Sequence, residues 1–242
     1  MSSLITKTIE PATGTTVTLG AGGDTVDIAA SQLKTNTVKD AGGNTLFTSD
    51  GAGTISSVNS ALSGDMIFIS SQDCTGQSSV EFTSGIDGTY DEYVFVWVNV
   101  KGVSEAAWRF QGDINGGSAY NQTITSVAMD SYHSPTNSHA HWSRQGASEQ
   151  AQGTAFQPLT QGISESATHS GSSGYLHIFN PTSTTYIKQL WSIQSSHDGW
   201  NEVANQEQVA GYFNVTVALT QFKFELSTGN IATGTVYLYG MK

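Results

Sequence analysis

The feature that most constrains this chain is a succession of short runs rich in β-branched and aromatic residues, with no amphipathic helix between them. Past Asp65 ten such runs follow one another: Met66 to Ser70, Ser79 to Thr83, Glu92 to Val100, Ala107 to Gln111, Thr123 to Met129, Tyr175 to Asn180, Thr185 to Gln194, Val209 to Leu219, Gln221 to Glu225 and Thr235 to Tyr239. In YVFVWVNV, Tyr93, Phe95, Trp97 and Asn99 alternate with Val94, Val96, Val98 and Val100, the pattern of a central strand covered on both sides. In QFKFEL, Phe222, Phe224 and Leu226 share one side and Lys223 and Glu225 the other, which describes a sheet with one wet face. None of the four prolines falls in a run, so no strand is demoted to an edge on that ground. The best helical candidate, EVANQEQVAG from Glu202 to Gly211, has Gln206 and Glu207 three and four positions after Val203. It sustains no apolar stripe and reads as a loop or single turn. Residues 130–168 read as long surface connections with one or two edge strands.

These runs predict an all-β chain: a jelly-roll-like antiparallel β-sandwich over residues 65–242, preceded by an extended, β-rich N-terminal arm over residues 1–64. An immunoglobulin-type sandwich would need fewer strands and carries a cysteine pair, whereas Cys74 is the only cysteine here. The arm offers little to bury, because Val17 and Leu19, or Val26 and Ile28, stand alone among Thr, Gly and Asp. Ordering each backbone residue costs about 1–2 kcal/mol. These four residues are therefore expected to pack on a neighbouring subunit or to wind with symmetry mates, making the arm an attachment or oligomerisation element.

Charge narrows the possible partners. Nine Lys and Arg against twenty Asp and Glu give a net charge of −11, so the chain repels phosphate backbones and nucleic acid is not expected as a partner. Charged residues are only 12% of the chain against about 25% in ordinary globular proteins. No window approaches 18 consecutive apolar residues, and MSSLITKTIE lacks the apolar run of a signal peptide, so neither membrane insertion nor ordinary secretion is indicated. A single cysteine excludes an internal disulfide and leaves stability to sheet packing and subunit association.

Candidate chemistry is sparse. In YHSPTNSHAHW, the pair His139 and His141 on a strand would lie on one side, able to share a metal if His133 or Glu149 folded over. The spacing is short and common, and the same histidines better suit a solvated or packed setting. Asp87, Asp91 and Glu92 in IDGTYDEY could approach calcium, but Asp87-Gly88 also reads as a simple turn. DINGG, from Asp113 to Gly117, has hairpin-turn chemistry. Trp142 and Trp200, with Trp108, sit near expected loops or strand ends and could stack on sugar rings, while most tryptophans would fill the core. Enzyme signatures, including a nucleophile elbow, a phosphate-binding loop, a His-Glu-x-x-His zinc motif and a dinucleotide fingerprint, are absent. No catalytic residue and no cofactor are expected.

The strings SSVEFTSGIDGTYDEYVFVWVNV, GYLHIFNPTSTTYIKQLWSI and STGNIATGTVYLYGMK resemble virion structural proteins of marine tailed bacteriophages, and TVTLGAGGDTVDIA and DAGGNTLFTSDGAGTISSV are similar to the repetitive leaders of phage tail-fibre proteins. The resemblance implies a jelly-roll head on an attaching arm, commonly a homotrimer, exposed on the virion as capsid decoration or as a tail fibre or spike. It also implies partners among other virion proteins of capsid or tail. The alternative is a lectin-like receptor-recognition module binding a host surface glycan; a polysaccharide depolymerase ranks below it.

Overall fold

The structure is a computed structural model and describes residues 35–52, 54–58, 65–165, 171–198 and 203–241. Val17, Leu19, Val26, Ile28 and Trp200 lie outside the described residues. The chain divides into two compact units, residues 1–62 and 63–242. In the first, β1 (Thr37–Lys39), β2 (Thr45–Ser49) and β3 (Ile55–Val58) form an antiparallel meander in the order β1-β2-β3. Aspartates organise its turns. Asp40 accepts the Asn44 N–H at 2.8 Å, and Asp50 accepts those of Ala52 and Thr54 at 2.7 and 3.1 Å.

The second unit is an antiparallel β-sandwich. Its strands are β4 (Met66–Asp73), β5 (Ser79–Phe82), β6 (Glu92–Gly102), β7 (Trp108–Asp113), β8 (Ile124–His133), β9 (Ala140–Arg144), β10 (Gln157–Pro158), β11 (Ser172–Phe179), β12 (Lys188–Asp198), β13 (Val203–Phe213), β14 (Gln221–Leu226) and β15 (Ile231–Met241). One sheet has four strands in the order β10-β7-β14-β5, the other eight in the order β4-β15-β6-β11-β12-β13-β8-β9. Setting aside β8-β9 and β12-β13, the remaining strands alternate between β4-β15-β6-β11 and β5-β14-β7-β10, which is the eight-stranded jelly roll of two interlocked Greek keys. The two hairpins are insertions that widen one sheet only.

The core follows from the alternation. Phe222, Phe224 and Leu226 turn inward with Phe82, Trp108 and Phe110 and meet Phe95, Trp97 and Phe213 from the large sheet. The opposite face of the small sheet is charged, with Arg109 paired to Glu225 at 2.6 Å and Lys223 to Glu81 at 3.2 Å. β6 is central, between β15 and β11. Its outward Val94 is buried, whereas Val98 is exposed.

Three sequence readings need correction. From Val203 onward, EVANQEQVAG is neither loop nor turn but most of β13, the longest-paired strand of the inserted half, in which the inward Asn205 and Glu207 are buried like the valines. DINGG does turn, with Gly116 at φ 71° and the Gly117 N–H on the Ile114 carbonyl at 2.9 Å, but it closes no hairpin, since the chain crosses to β8 in the other sheet. Trp108 is fully buried in the core and unavailable to a ligand. Residues 130–168 do supply two edge strands, β9 and β10.

Cys74 is fully buried beside Asp73, and burial pushes its thiol up to about 12. It is expected not to react with a disulfide reagent at about pH 8, since the thiolate is the nucleophile, and to titrate as one thiol per chain in denaturant. Rapid labelling of the native protein would show that the β4 end opens freely.

Candidate binding face

The candidate residues are set out by register. Across the large sheet, three rows of cross-strand neighbours face outward. One runs Phe68, Tyr239, Val94, His177, Trp191, Ala210, Val127; the next runs Tyr237, Val96, Tyr175, Ile193, Gln208, Met129, Arg144; the third continues through Ser195, Gln206 and Ser131 to Trp142. Because successive side chains alternate between faces, β13 sends Ala204, Gln206, Gln208 and Ala210 outward and Val203, Asn205, Glu207 and Val209 inward.

Several rings on this face hold one another. The Trp191 indole stacks on His177 at 4.6 Å with an interplanar angle of 8°, and Tyr175 stands edge-on to Trp191 at 5.5 Å and to His177 at 5.3 Å. His177 is anchored in turn by a hydrogen bond between Nδ1 and the Glu92 carboxylate. Trp191 and Tyr175 are each 38% exposed, and Trp142, on the edge strand, is 70% exposed. In the rows crossing β11 to β9 the basic side chains are His177 and Arg144, with His133 in the next row beyond Ser131, and Arg144 is paired with Glu149. That pairing holds the Glu149 carboxyl below its ordinary range.

The reverse side of these strands is built from buried polar groups. Trp97 Nε1 donates to Ser172 Oγ at 3.0 Å, Ser172 Oγ donates to Gln194 Oε1 at 3.0 Å, and Gln194 Nε2 reaches Asn205 Oδ1 at 3.4 Å. The segment after β9 seals this side: Gln157 Nε2 donates to the Ser148 carbonyl at 2.6 Å and its Oε1 accepts from Ser126 Oγ at 2.7 Å.

Of the residues singled out in the sequence, Trp142 joins this face. The histidines are not gathered into a ligand set. His133 pairs across to Ala140 and His141 to Tyr132, so register puts His133 and His141 on opposite faces of the β8-β9 hairpin. His133 Nε2 instead bonds Asn137 Oδ1 at 3.0 Å, His141 lies against the Tyr132 ring at 5.4 Å, and His139 precedes β9 with its carbonyl accepting the Ser134 N–H. Among the described residues no group of three His, Cys, Asp or Glu could hold a metal ion. Asp87 is committed to its own turn, accepting the Thr89 N–H at 3.0 Å with the carboxyl held below its ordinary range by the Thr89 hydrogen bonds. Trp191, Tyr175, Gln206 and Gln208 carried no motif; the alternation in KQLWSIQ and VANQEQVA was the signal that could have marked them. Comparison of the chain with models of known families, with curated proteins and with solved structures gives no match.

Proposed function

We propose that this chain is a structural protein of a bacteriophage virion, displayed on the particle as capsid decoration or as a tail fibre or spike, and that it acts by oligomeric binding rather than catalysis. The observation that carries the reading is the outward face of the large sheet, on whose strands the large apolar side chains of Met66, Phe68, Val98, Tyr175, Trp191, Val127 and Trp142 are left exposed. Monomeric soluble proteins rarely expose broad apolar patches, and those that do use them for association. A jelly-roll body joined to a separate small β unit supports the same reading, since one part can attach while the other is presented. A low-charge, acidic exterior suits a particle surface, because it discourages nonspecific adsorption.

Attachment can be separated from folding. A chain lacking residues 1–60 is expected to keep the cooperative unfolding of the sandwich while losing both particle association and the oligomer, a trimer, that sedimentation is expected to show for the full chain. Gold-labelled antibody against residues 63–242 is expected on the outside of particles in electron micrographs. Particles bare of label, or normal decoration by the truncated chain, would reject the reading.

A further inference from the structure

We infer that the outer face of β11-β12-β13-β8-β9 is a binding platform for a neutral, extended polysaccharide. This inference does not depend on where the protein resides. A pyranose ring offers two kinds of surface, an apolar C–H face and a rim of hydroxyls that both donate and accept. The platform offers the complement of each. Trp191, Tyr175 and Trp142 present partly exposed rings, and between them stand Gln206, Gln208, Ser195 and Ser131, whose amides and hydroxyls serve as donor and acceptor at once. Gln208 and Ser195 make no side-chain hydrogen bond to the described residues, and Gln206 makes only a long one, accepting from Ser131 Oγ at 3.5 Å. These groups are therefore available to a ligand.

Charge and shape select the ligand class. With Arg144 paired to Glu149, His177 held against Glu92 and His133, at the margin of the platform, bonded to Asn137 Oδ1, the platform offers an acidic or sulfated polymer no lysine and no unpaired arginine, and offers a basic one no anionic cluster. The surface is a run of adjoining shallow depressions rather than one deep pocket. One of ≈ 380 Å³ lies between Tyr175 and Gln206, a second of ≈ 280 Å³ between Gln206 and His133, sharing Ser195 and Gln206 with the first, and a third of ≈ 110 Å³ lies against Trp191 and Gln208. From Tyr175 on β11 to Trp142 on β9 the run crosses four strand spacings, roughly 19 Å, which accommodates several consecutive sugars. Preorganisation favours binding as well, because the stack of Trp191 on His177 and its edge contact with Tyr175 fix the rings before a ligand arrives, so less side-chain freedom is lost. A second copy of the chain suits the far end of the same face better. There Met66, Phe68 and Tyr239 adjoin with fewer amides between. Around Gln206 and Gln208 an apolar partner surface would bury unsatisfied amides.

The test uses the full chain in affinity electrophoresis through gels containing neutral glucans (amylose, hydroxyethylcellulose, laminarin) or neutral mannan, with hyaluronan and chondroitin sulfate as acidic polymers. At least one neutral polymer is expected to retard the protein and the acidic ones are not. Trp191→Ala, Trp142→Ala and Gln208→Ala are each expected to weaken that retardation roughly tenfold or more, and Lys223→Ala, on the other sheet, to leave it unchanged. Trp142 is exposed and Gln208 lies on the surface, so those two variants report on binding even if Trp191→Ala disturbs folding. Passage through every neutral gel without retardation overturns the inference. So does retention by the acidic polymers alone, or a change of oligomeric state on substituting Trp191 and Trp142 without loss of glycan binding.

Discussion

Phe224→Ala is expected to destabilise the sandwich unit by about 3–5 kcal/mol, a large part of the roughly 5–15 kcal/mol that holds a typical domain folded. The side chain is fully buried and is the node at which the two sheets meet. Its ring lies 5.0 Å from Phe95 of the large sheet and, within its own sheet, 6.2 Å from Phe82, 5.6 Å from Trp108 and 5.9 Å from Phe110. Truncation removes contacts with all four and leaves a cavity that rigid neighbouring strands cannot close. Lys223→Ala is the matched comparison one residue away on the wet face; its ion pair with Glu81 at 3.2 Å is partly exposed, so the expected loss is at most about 1 kcal/mol. Urea unfolding with an unchanged denaturant slope measures both. A Phe224→Ala loss no larger than that of Lys223→Ala would mean that the sheets do not pack through this residue.

The contrast between these neighbours shows why some of the fold is legible in the sequence. β14 and β6 announce themselves because every second residue is large and apolar, and burial then leaves one geometry open to them. β13 hides because its inward residues are Val203, Asn205, Glu207 and Val209. Asn205 is buried against the Gln194 amide, a partner supplied by another strand and not by the run itself. The binding face is hidden for a related reason. Trp142 could be singled out as a tryptophan near a strand end, but the approach of Tyr175 to Trp191 depends on the β11-β12 register, and that of Gln208 to Ile193 on the β12-β13 register. Register is a property of paired strands, and no single run carries it. The histidines show the converse. Spacing alone favoured a shared ligand side for His139 and His141, but where His133 would stand was decided by the β8-β9 pairing.

Lys188→Ala is expected to cost roughly 3–4 kcal/mol, because a buried polar group left without its partner costs about 1–3 kcal/mol and the lost side chain also leaves a void. The residue is fully buried, and its ammonium donates to the carbonyls of Ser183 at 2.6 Å, Tyr186 at 2.9 Å and Val215 at 3.0 Å. Ser183 and Tyr186 lie between β11 and β12, and Val215 between β13 and β14. These are the two connections by which the β12-β13 hairpin is spliced into the jelly roll, and the Leu219 N–H on the Pro181 carbonyl at 2.8 Å links them again. Lys188 thus clamps the root of the hairpin that carries Trp191, Gln206 and Gln208. Lys188→Met separates the two contributions: it restores bulk but not donors, so it should recover the packing loss while leaving the three carbonyls without their shared cation. Burial also holds the amine below its ordinary proton affinity. Unfolding therefore takes up a proton in the alkaline range, and stability from this residue rises as pH climbs toward the ordinary lysine range of about 10. The gap between wild type and Lys188→Met should widen over that interval in urea unfolding. Equal stability of the two at neutral pH would show that the hairpin root is held by packing alone.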